Sequence, residues 1–275
     1  MIYFAHDGSL HADWVGRYAI RLARHADPSR LIVLHVEEPD LDREAVAVKL
    51  SALERDAQAA GVAIEVHRAR GGGYAVRGLL RQVPFGARLV CGTRARPRHL
   101  AWLAGSVAAR LLDAGHAHVL AIRVAQPGLL GVPRDLLLPV TERPRALAAG
   151  GFLPLLGHDL AHVHVLHVHE LSSLRFRSLP AEEAELLLGR ARGVIGRVEQ
   201  DLASVLPEAV RIDGSAVISD DTPKEILIAV GRLRTRLIFL GGSERSLPKR
   251  VVYGDPVEQI LRASPCDVAV YRGPR

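Results

Sequence analysis

The chain reads as two tandem α/β domains, each a five-stranded parallel sheet with helices on both faces. Three observations predict this: strand-length apolar runs alternate with helix-length amphipathic runs, the alternation occurs twice, and short signatures of the first half recur in order in the second. Leu34-His35-Val36 recurs as Leu166-His167-Val168, each closing an apolar run. Val90-Cys91-Gly92 recurs as Phe239-Leu240-Gly241, Gly105-Ser106-Val107 as Gly254-Asp255-Pro256, and His118-Val119-Leu120-Ala121 as Asp267-Val268-Ala269-Val270. The later pairs stand further apart than the first, so the second copy carries an insertion between its second and fourth strands. Two copies of domain size exclude a short-period solenoid.

In the first copy, residues 2–5, 31–36, 62–67, 89–91 and 119–122 are the strand-length runs. Ser9 stands where it caps a helix carrying Val15, Ala19, Leu22 and Ala23 on one face. The next helix presents Val46, Leu50, Leu53 and Ala57, the third Val76, Leu79, Leu80 and Val83, and the last Ala108, Leu111 and Leu112. Strands and helices in this order make a parallel sheet buried on both faces, joined by right-handed crossovers. In the second copy, residues 136–140, 163–168, 237–240 and 268–271 are strands. Residues 181–206 form a long helix that holds much of the insertion. The stretch Gln126-Pro127-Gly128-Leu129-Leu130-Gly131-Val132-Pro133 has the composition of a linker, which gives domains 1–130 and 131–275.

Composition narrows the function. A chain of 275 residues that is 48% hydrophobic can build two cores and is not a disordered polymer. No apolar run approaches the roughly 20 residues of a membrane helix. The first charge, Asp7, comes too early for a signal peptide. Two cysteines, Cys91 and Cys266, make no disulfide framework, so a reducing cytoplasm is expected. The net charge of +6 is carried by arginine, and Trp14 and Trp102 are too isolated to form a base-stacking platform. Neither a nucleic acid nor a membrane is an expected partner.

In an open parallel sheet, ligands sit beyond the carboxyl ends of the strands where the strand order reverses. Three segments of the first copy belong there. Asp7-Gly8-Ser9 follows Ala5 and the first strand, Gly92-Thr93-Arg94-Ala95-Arg96-Pro97-Arg98 follows the fourth, and Gly105-Ser106-Val107 opens the last helix. A helix start offers unpaired N–H groups to an anion, arginines add charge-assisted bonds to phosphate, and a carboxylate suits ribose hydroxyls. These are the parts of a nucleotide site.

At these residues the chain resembles the universal stress protein family, in its tandem two-domain form. That family's first strand closes on Asp-Gly-Ser, matched by Tyr3-Phe4-Ala5-His6-Asp7-Gly8-Ser9. Its nucleotide-binding members carry Gly-x2-Gly-x9-Gly-Ser/Thr after the fourth strand, matched here by Gly92-x2-Ala95-x9-Gly105-Ser106. The resemblance implies Rossmann-like or flavodoxin-like domains and a cytoplasmic stress-response protein that binds ATP, alone or with magnesium, in the first domain only. The residues it assigns to the cofactor are Ala5, Asp7, Val36, Gly92, Arg94, Ala95, Gly105, Ser106 and Val107, with the Val36 backbone beside adenine. The departure is Ala95. If that position needs a positive φ or close approach to phosphate, alanine costs about 1 kcal/mol or blocks the site. If it needs only an N–H, alanine supplies one.

The second copy has Thr141-Glu142 in place of Asp7-Gly8, and reads Gly241-x2-Glu244-x9-Gly254-Asp255-Pro256. Two carboxylates then face the phosphate position, where one like-charge pair near 4 Å is worth roughly 4 kcal/mol of repulsion at an effective dielectric of 20. Pro256 also removes an N–H from the helix start. The second domain is therefore expected to bind no nucleotide and to act as a structural partner. The alternative is that neither domain binds nucleotide and the chain is an interaction module for an unknown protein partner. Two copies in one chain supply an intramolecular pairing, with the last strands lying together or exchanging edges, and a homodimer of chains is a further arrangement.

Other features have plainer readings. Alternation puts His162 and His164 on one face of their strand and His167 and His169 on the other, so no metal site is expected. His167 has its counterpart in His35, which points to packing. Cys91 reads as a core residue, and Gly71-Gly72-Gly73 as a turn. There is no Gly-x4-Gly-Lys-Ser/Thr loop, no Gly-x-Ser-x-Gly elbow and no paired-cysteine zinc motif. No enzyme is expected, and any ATP hydrolysis would be slow and incidental.

Overall fold

The computed structural model describes residues 1–37, 42–70, 75–93, 106–127, 132–141, 151–241 and 256–274. In chain order the first elements are β1 (Ile2–His6), α1 (Leu10–Arg24), β2 (Arg30–Glu37), α2 (Arg43–Ala59), β3 (Ala63–Arg70), α3 (Ala75–Leu80), β4 (Arg88–Gly92), α4 (Val107–Asp113) and β5 (His118–Arg123). There follow β6 (Asp135–Val140), α5 (Phe152–Gly157), β7 (His162–Glu170), α6 (Ser173–Arg177), α7 (Ala181–Ala203), β8 (Arg211–Ser219), α8 (Thr222–Leu233), β9 (Leu237–Gly241), α9 (Pro256–Ala263) and β10 (Asp267–Arg272). Contacts divide the chain into two compact units, Met1–Gly131 with Ala269–Arg275, and Val132–Val268. The fold class is the expected one, parallel strands alternating with helices. Among the described residues no helix is long and apolar enough to cross a membrane.

In the first unit the strand order is β3-β2-β1-β4-β5, and all of these neighbours are parallel. Central strand β1 buries Ile2, Tyr3 and Phe4 in succession, as a strand covered on both faces must. The chain runs outward from β1 through β2 to β3 and then returns to the far side of β1 as β4. That reversal opens a crevice at the carboxyl ends of β1 and β4. Helix α2 buries Val46, Leu50, Leu53 and Ala57, and α4 buries Ala108, Leu111 and Leu112, the stripes that the spacing predicts. Tyr271, counted with this unit, stacks on His118 with ring centroids 6.2 Å apart.

The second unit repeats the order as β8-β7-β6-β9, again parallel. Its insertion lies between β7 and β8. Helix α7 has 23 residues against 17 in α2, and α6 precedes it. The sequence reading locates no strand or helix between residues 206 and 237, where the structure has β8 and α8. β8 escapes a periodicity search because it opens Arg-Ile-Asp-Gly-Ser and stands at the edge of its unit, mostly half-exposed. Its Gly214 answers to packing, since a Cβ there would stand 2.3 Å from Ile195 Cγ2 on α7.

Candidate functional site

The end of β1 is organised by short-range bonds. Asp7 Oδ1 accepts from the Ser9 N–H at 2.9 Å, and Ser9 Oγ accepts from the Ala12 N–H at 3.2 Å, which caps α1. Between them Gly8 sits at φ 77°, a left-handed conformation that favours glycine. The Gly8 N–H donates to His6 Nδ1 at 3.0 Å. That leaves the ring proton on Nε2, which donates to Asp13 Oδ1 at 3.0 Å. Lys49 reaches across from α2, its Nζ 2.9 Å from the Gly8 carbonyl and 3.4 Å from Asp13 Oδ2. Burial pushes the His6 imidazole below its ordinary value, and the Asp13 carboxylate opposes that shift without cancelling it.

The neighbouring strands complete the crevice. His35 on β2 donates from Nδ1 to the His6 carbonyl at 2.8 Å. β4 ends in Cys91 and Gly92. A Cβ at Gly92 would stand 3.1 Å from His11 Cδ2 and 3.5 Å from Val15 Cγ2, so packing against α1 already asks for glycine there. Burial, helped by the Asp7 carboxylate, pushes the Cys91 thiol up to about 12. It is a protonated core thiol near neutral pH, without thiolate character. At the start of α4, Ser106 Oγ accepts from the Ala109 N–H at 3.0 Å and satisfies one of the helix's orphan donors.

These ends enclose a cavity of about 220 Å³. Of the residues singled out in the sequence, Ala5, Asp7, Val36, Gly92, Ser106 and Val107 line it. Arg94, Ala95 and Gly105 lie outside the described residues, as do Arg96, Arg98, the Gly71-Gly72-Gly73 turn, Trp102 and, in the second unit, Glu142, Glu244, Gly254 and Asp255. Sequence reasoning missed His6, His11 and Leu79, which share the lining. A signal for His6 was present. Once Ser9 caps a helix, Asp13 falls in its first turn, where it can face back toward the strand end. The walls are apolar through Ala12, Leu34, Leu79 and Ala108, with Asp7 and Ser106 as polar groups. An apolar slot with a few convergent polar atoms suits a flat, partly polar ring bearing hydroxyls.

In the second unit, Thr141 follows β6 exposed, and α9 opens on Pro256. His167 donates from Nδ1 to the Val140 carbonyl at 3.0 Å, repeating the bond of His35, and so serves packing.

A family model described as the universal stress protein family matches residues 135–272. Among curated proteins none matches the chain. In solved structures the chain is similar to a universal stress protein from Archaeoglobus fulgidus DSM 4304, with 19% identity, 98% of each chain covered and a TM-score of 0.62. It is similar also to a protein of unknown function from Pseudomonas aeruginosa PAO1, at 17% identity over 99% of this chain and 92% of that one, TM-score 0.60. The cytoplasmic domain of a prokaryotic cation chloride cotransporter is similar at 11% identity over 99% and 95% of the two chains, TM-score 0.60. At these identities the likeness is one of fold.

Proposed function

The chain belongs to the universal stress protein family, and from that premise we propose that its first unit binds one adenine nucleotide in the crevice between β1 and β4. The observation that carries this is the convergence of Asp7, Gly92 and the capped start of α4 on one largely apolar cavity where the strand order reverses. Asp7 receives ribose hydroxyls, the apolar wall and the Val36 backbone take the base, and the Ser106 hydroxyl with the loop from Gly92 takes phosphates, with or without magnesium. The second unit carries no nucleotide: Thr141 replaces the carboxylate, and Pro256 brings no N–H to its helix start. On this reading the protein is a cytoplasmic stress-response binding protein whose occupancy a protein partner reads. Neither His6 nor Cys91 is placed to drive turnover, because His6 is committed to Gly8 and Asp13 and Cys91 stays protonated.

One observation favours the second reading, an interaction module without nucleotide. Among the described lining residues there is no lysine or arginine, and Asp7 brings a negative charge to the cavity. Neutralising phosphate then falls wholly to the loop that carries Arg94, Arg96 and Arg98.

The test uses protein purified without added nucleotide. It is denatured to identify any released small molecule, and a second sample is titrated with ATP, ADP and AMP, with and without magnesium, by calorimetry. One nucleotide per chain is expected, weakened about ten- to a hundredfold in Asp7→Ala, as loss of a bond to a charged group implies. Asp7→Asn, which can keep the turn to Ser9, separates loss of charge from loss of shape. No release and no heat up to millimolar ATP would give the chain to the second reading.

A further inference from the structure

We propose that His162, His164 and Asp213 form a binding site for one divalent transition-metal ion of the zinc type on the edge of the second unit. β7 and β8 run parallel with His162 opposite Arg211 and His164 opposite Asp213. Alternation puts both histidines on one face of β7, and the register puts Asp213 and Ser215 on the same face of β8. The opposite face is the one on which Gly214 packs against α7. The sequence displayed the histidines and left them without a third ligand. Pairing of the strands supplies it.

The atoms are set as ligands are. One ligand atom from each of the three residues lies within 4.8 Å of the others. His162 Nε2 is 3.0 Å from Asp213 Oδ2, yet it is buried and makes no hydrogen bond. Two atoms held at 2.0–2.2 Å from one tetrahedral ion stand about 3.3–3.6 Å apart, a few tenths of an ångström beyond that spacing. His164 Nδ1 meets the other carboxylate oxygen, Oδ1. The far nitrogen of His164, Nε2, lies 2.8 Å from Ser215 Oγ. Without a metal, Nδ1–H donates to the carboxylate; a metal at Nδ1 shifts the ring to the tautomer whose Nε2–H donates to the Ser215 hydroxyl, the outer-sphere support typical of metal-bound histidine. The two rings are nearly perpendicular, at 80°, and each meets a different oxygen of the carboxylate.

Charge agrees with geometry. Asp213 brings a carboxylate to the two imidazoles. It is the anion that a cation needs. The competing cation is Arg211, whose Nη2 is 3.1 Å from Asp213 Oδ2. Its side chain is 76% exposed, so it can leave for solvent when a metal takes the carboxylate. Two imidazoles and one carboxylate select zinc, cobalt, nickel or copper over magnesium or calcium, and three protein ligands leave a fourth position for water or a partner's side chain. The site joins an edge strand to its neighbour, so occupancy stiffens the second unit. It lies at the starts of β7 and β8 and is independent of nucleotide binding in the first unit.

The test takes the full chain without a histidine tag, strips it with a chelator, and titrates zinc in competition with a chromophoric chelator in the absence of nucleotide. One zinc per chain is expected, with affinity falling at least about tenfold in Asp213→Asn and in His162→Gln. Cobalt provides a readout on the unaltered chain, which covers the case of a variant that fails to fold. Four-coordinate binding gives an intense visible absorption, whereas six-coordinate aqueous cobalt absorbs weakly. A weak six-coordinate cobalt spectrum, no zinc uptake at millimolar metal, or equal zinc affinity in both folded variants would overturn the proposal.

Discussion

Both units tie their first two strands together with the same side chain. His35 donates to the His6 carbonyl and His167 to the Val140 carbonyl, at corresponding places in the two registers. Beyond that bond the units diverge. In the first, the β1–β4 ladder runs on to Ala5 opposite Cys91, and the chain turns into α1 through the side chains of His6, Asp7 and Ser9. In the second, the β6–β9 ladder pairs Leu136 with Leu237 and Leu137 with Ile238 and goes no further. Pro139 stands where Ala5 does and brings no N–H to a ladder. Helix α5 then starts from Gly151 at φ 68° with no side-chain cap. A bond present in both units belongs to the architecture, and an arrangement present in one is a candidate for function.

The largest effect that can break this comparison comes from the cores. Phe4 and Phe152 are buried in different units, and Phe4→Ala and Phe152→Ala should each cost about 3–5 kcal/mol. Both tryptophans precede residue 131, so tryptophan fluorescence follows the first unit alone. Phe4→Ala should lower the fluorescence-detected midpoint. Phe152→Ala should lower the midpoint seen by circular dichroism and leave fluorescence in place. Equal shifts in both signals for either variant would mean that the units unfold as one and that a unit-by-unit account fails.

A middle-sized effect sharpens the role of the shared bond. His35→Leu and His167→Leu each leave a strand-end carbonyl without its buried donor, at a cost of about 1–3 kcal/mol. Similar losses in chemical denaturation fit an architectural bond. A loss at His35 well above that at His167 would move the bond from the fold to the site.

The smallest effect is in pH. The His6 value is lowered in the folded state, so the unfolded chain binds more protons once pH drops below the ordinary value of 6.5. The contribution of neutral His6 is therefore fully present above about 6.5 and is lost as pH falls from there toward the folded value. Fluorescence-detected urea melts across this range should show the first unit weakening, and His6→Gln should flatten the dependence. A slope that survives in His6→Gln would assign it to another group.

What was legible in the sequence follows from range. The α2 stripe of Val46, Leu50, Leu53 and Ala57 was legible because helical periodicity links residues three and four apart. Ser9 and Ser106 were legible as caps because each bonds an N–H three residues on. Asp7 and Gly92 stood out because they end strands in a recognisable motif. His6 did not, because its partners Gly8 and Asp13 come from the turn and from α1, and Lys49 of α2 reaches those two partners rather than the ring. β8 was hidden by Asp213-Gly214-Ser215, whose meaning is set by α7 on one face and the β7 histidines on the other.

The sequence by itself determined the doubling of the chain, the alternation of strands and helices, the buried stripes and the turn at Asp7-Gly8-Ser9. The doubling rests on short signatures that recur in order, and the others on bonds or periodicities within a few residues. Only the tertiary structure decided that β1 lies between β2 and β4, which brings Asp7, Gly92 and Ser106 to one cavity, and that Asp213 stands beside His162 and His164. Those neighbours are chosen by strand order and register, and a slip of one residue would turn every side chain of a strand to the other face.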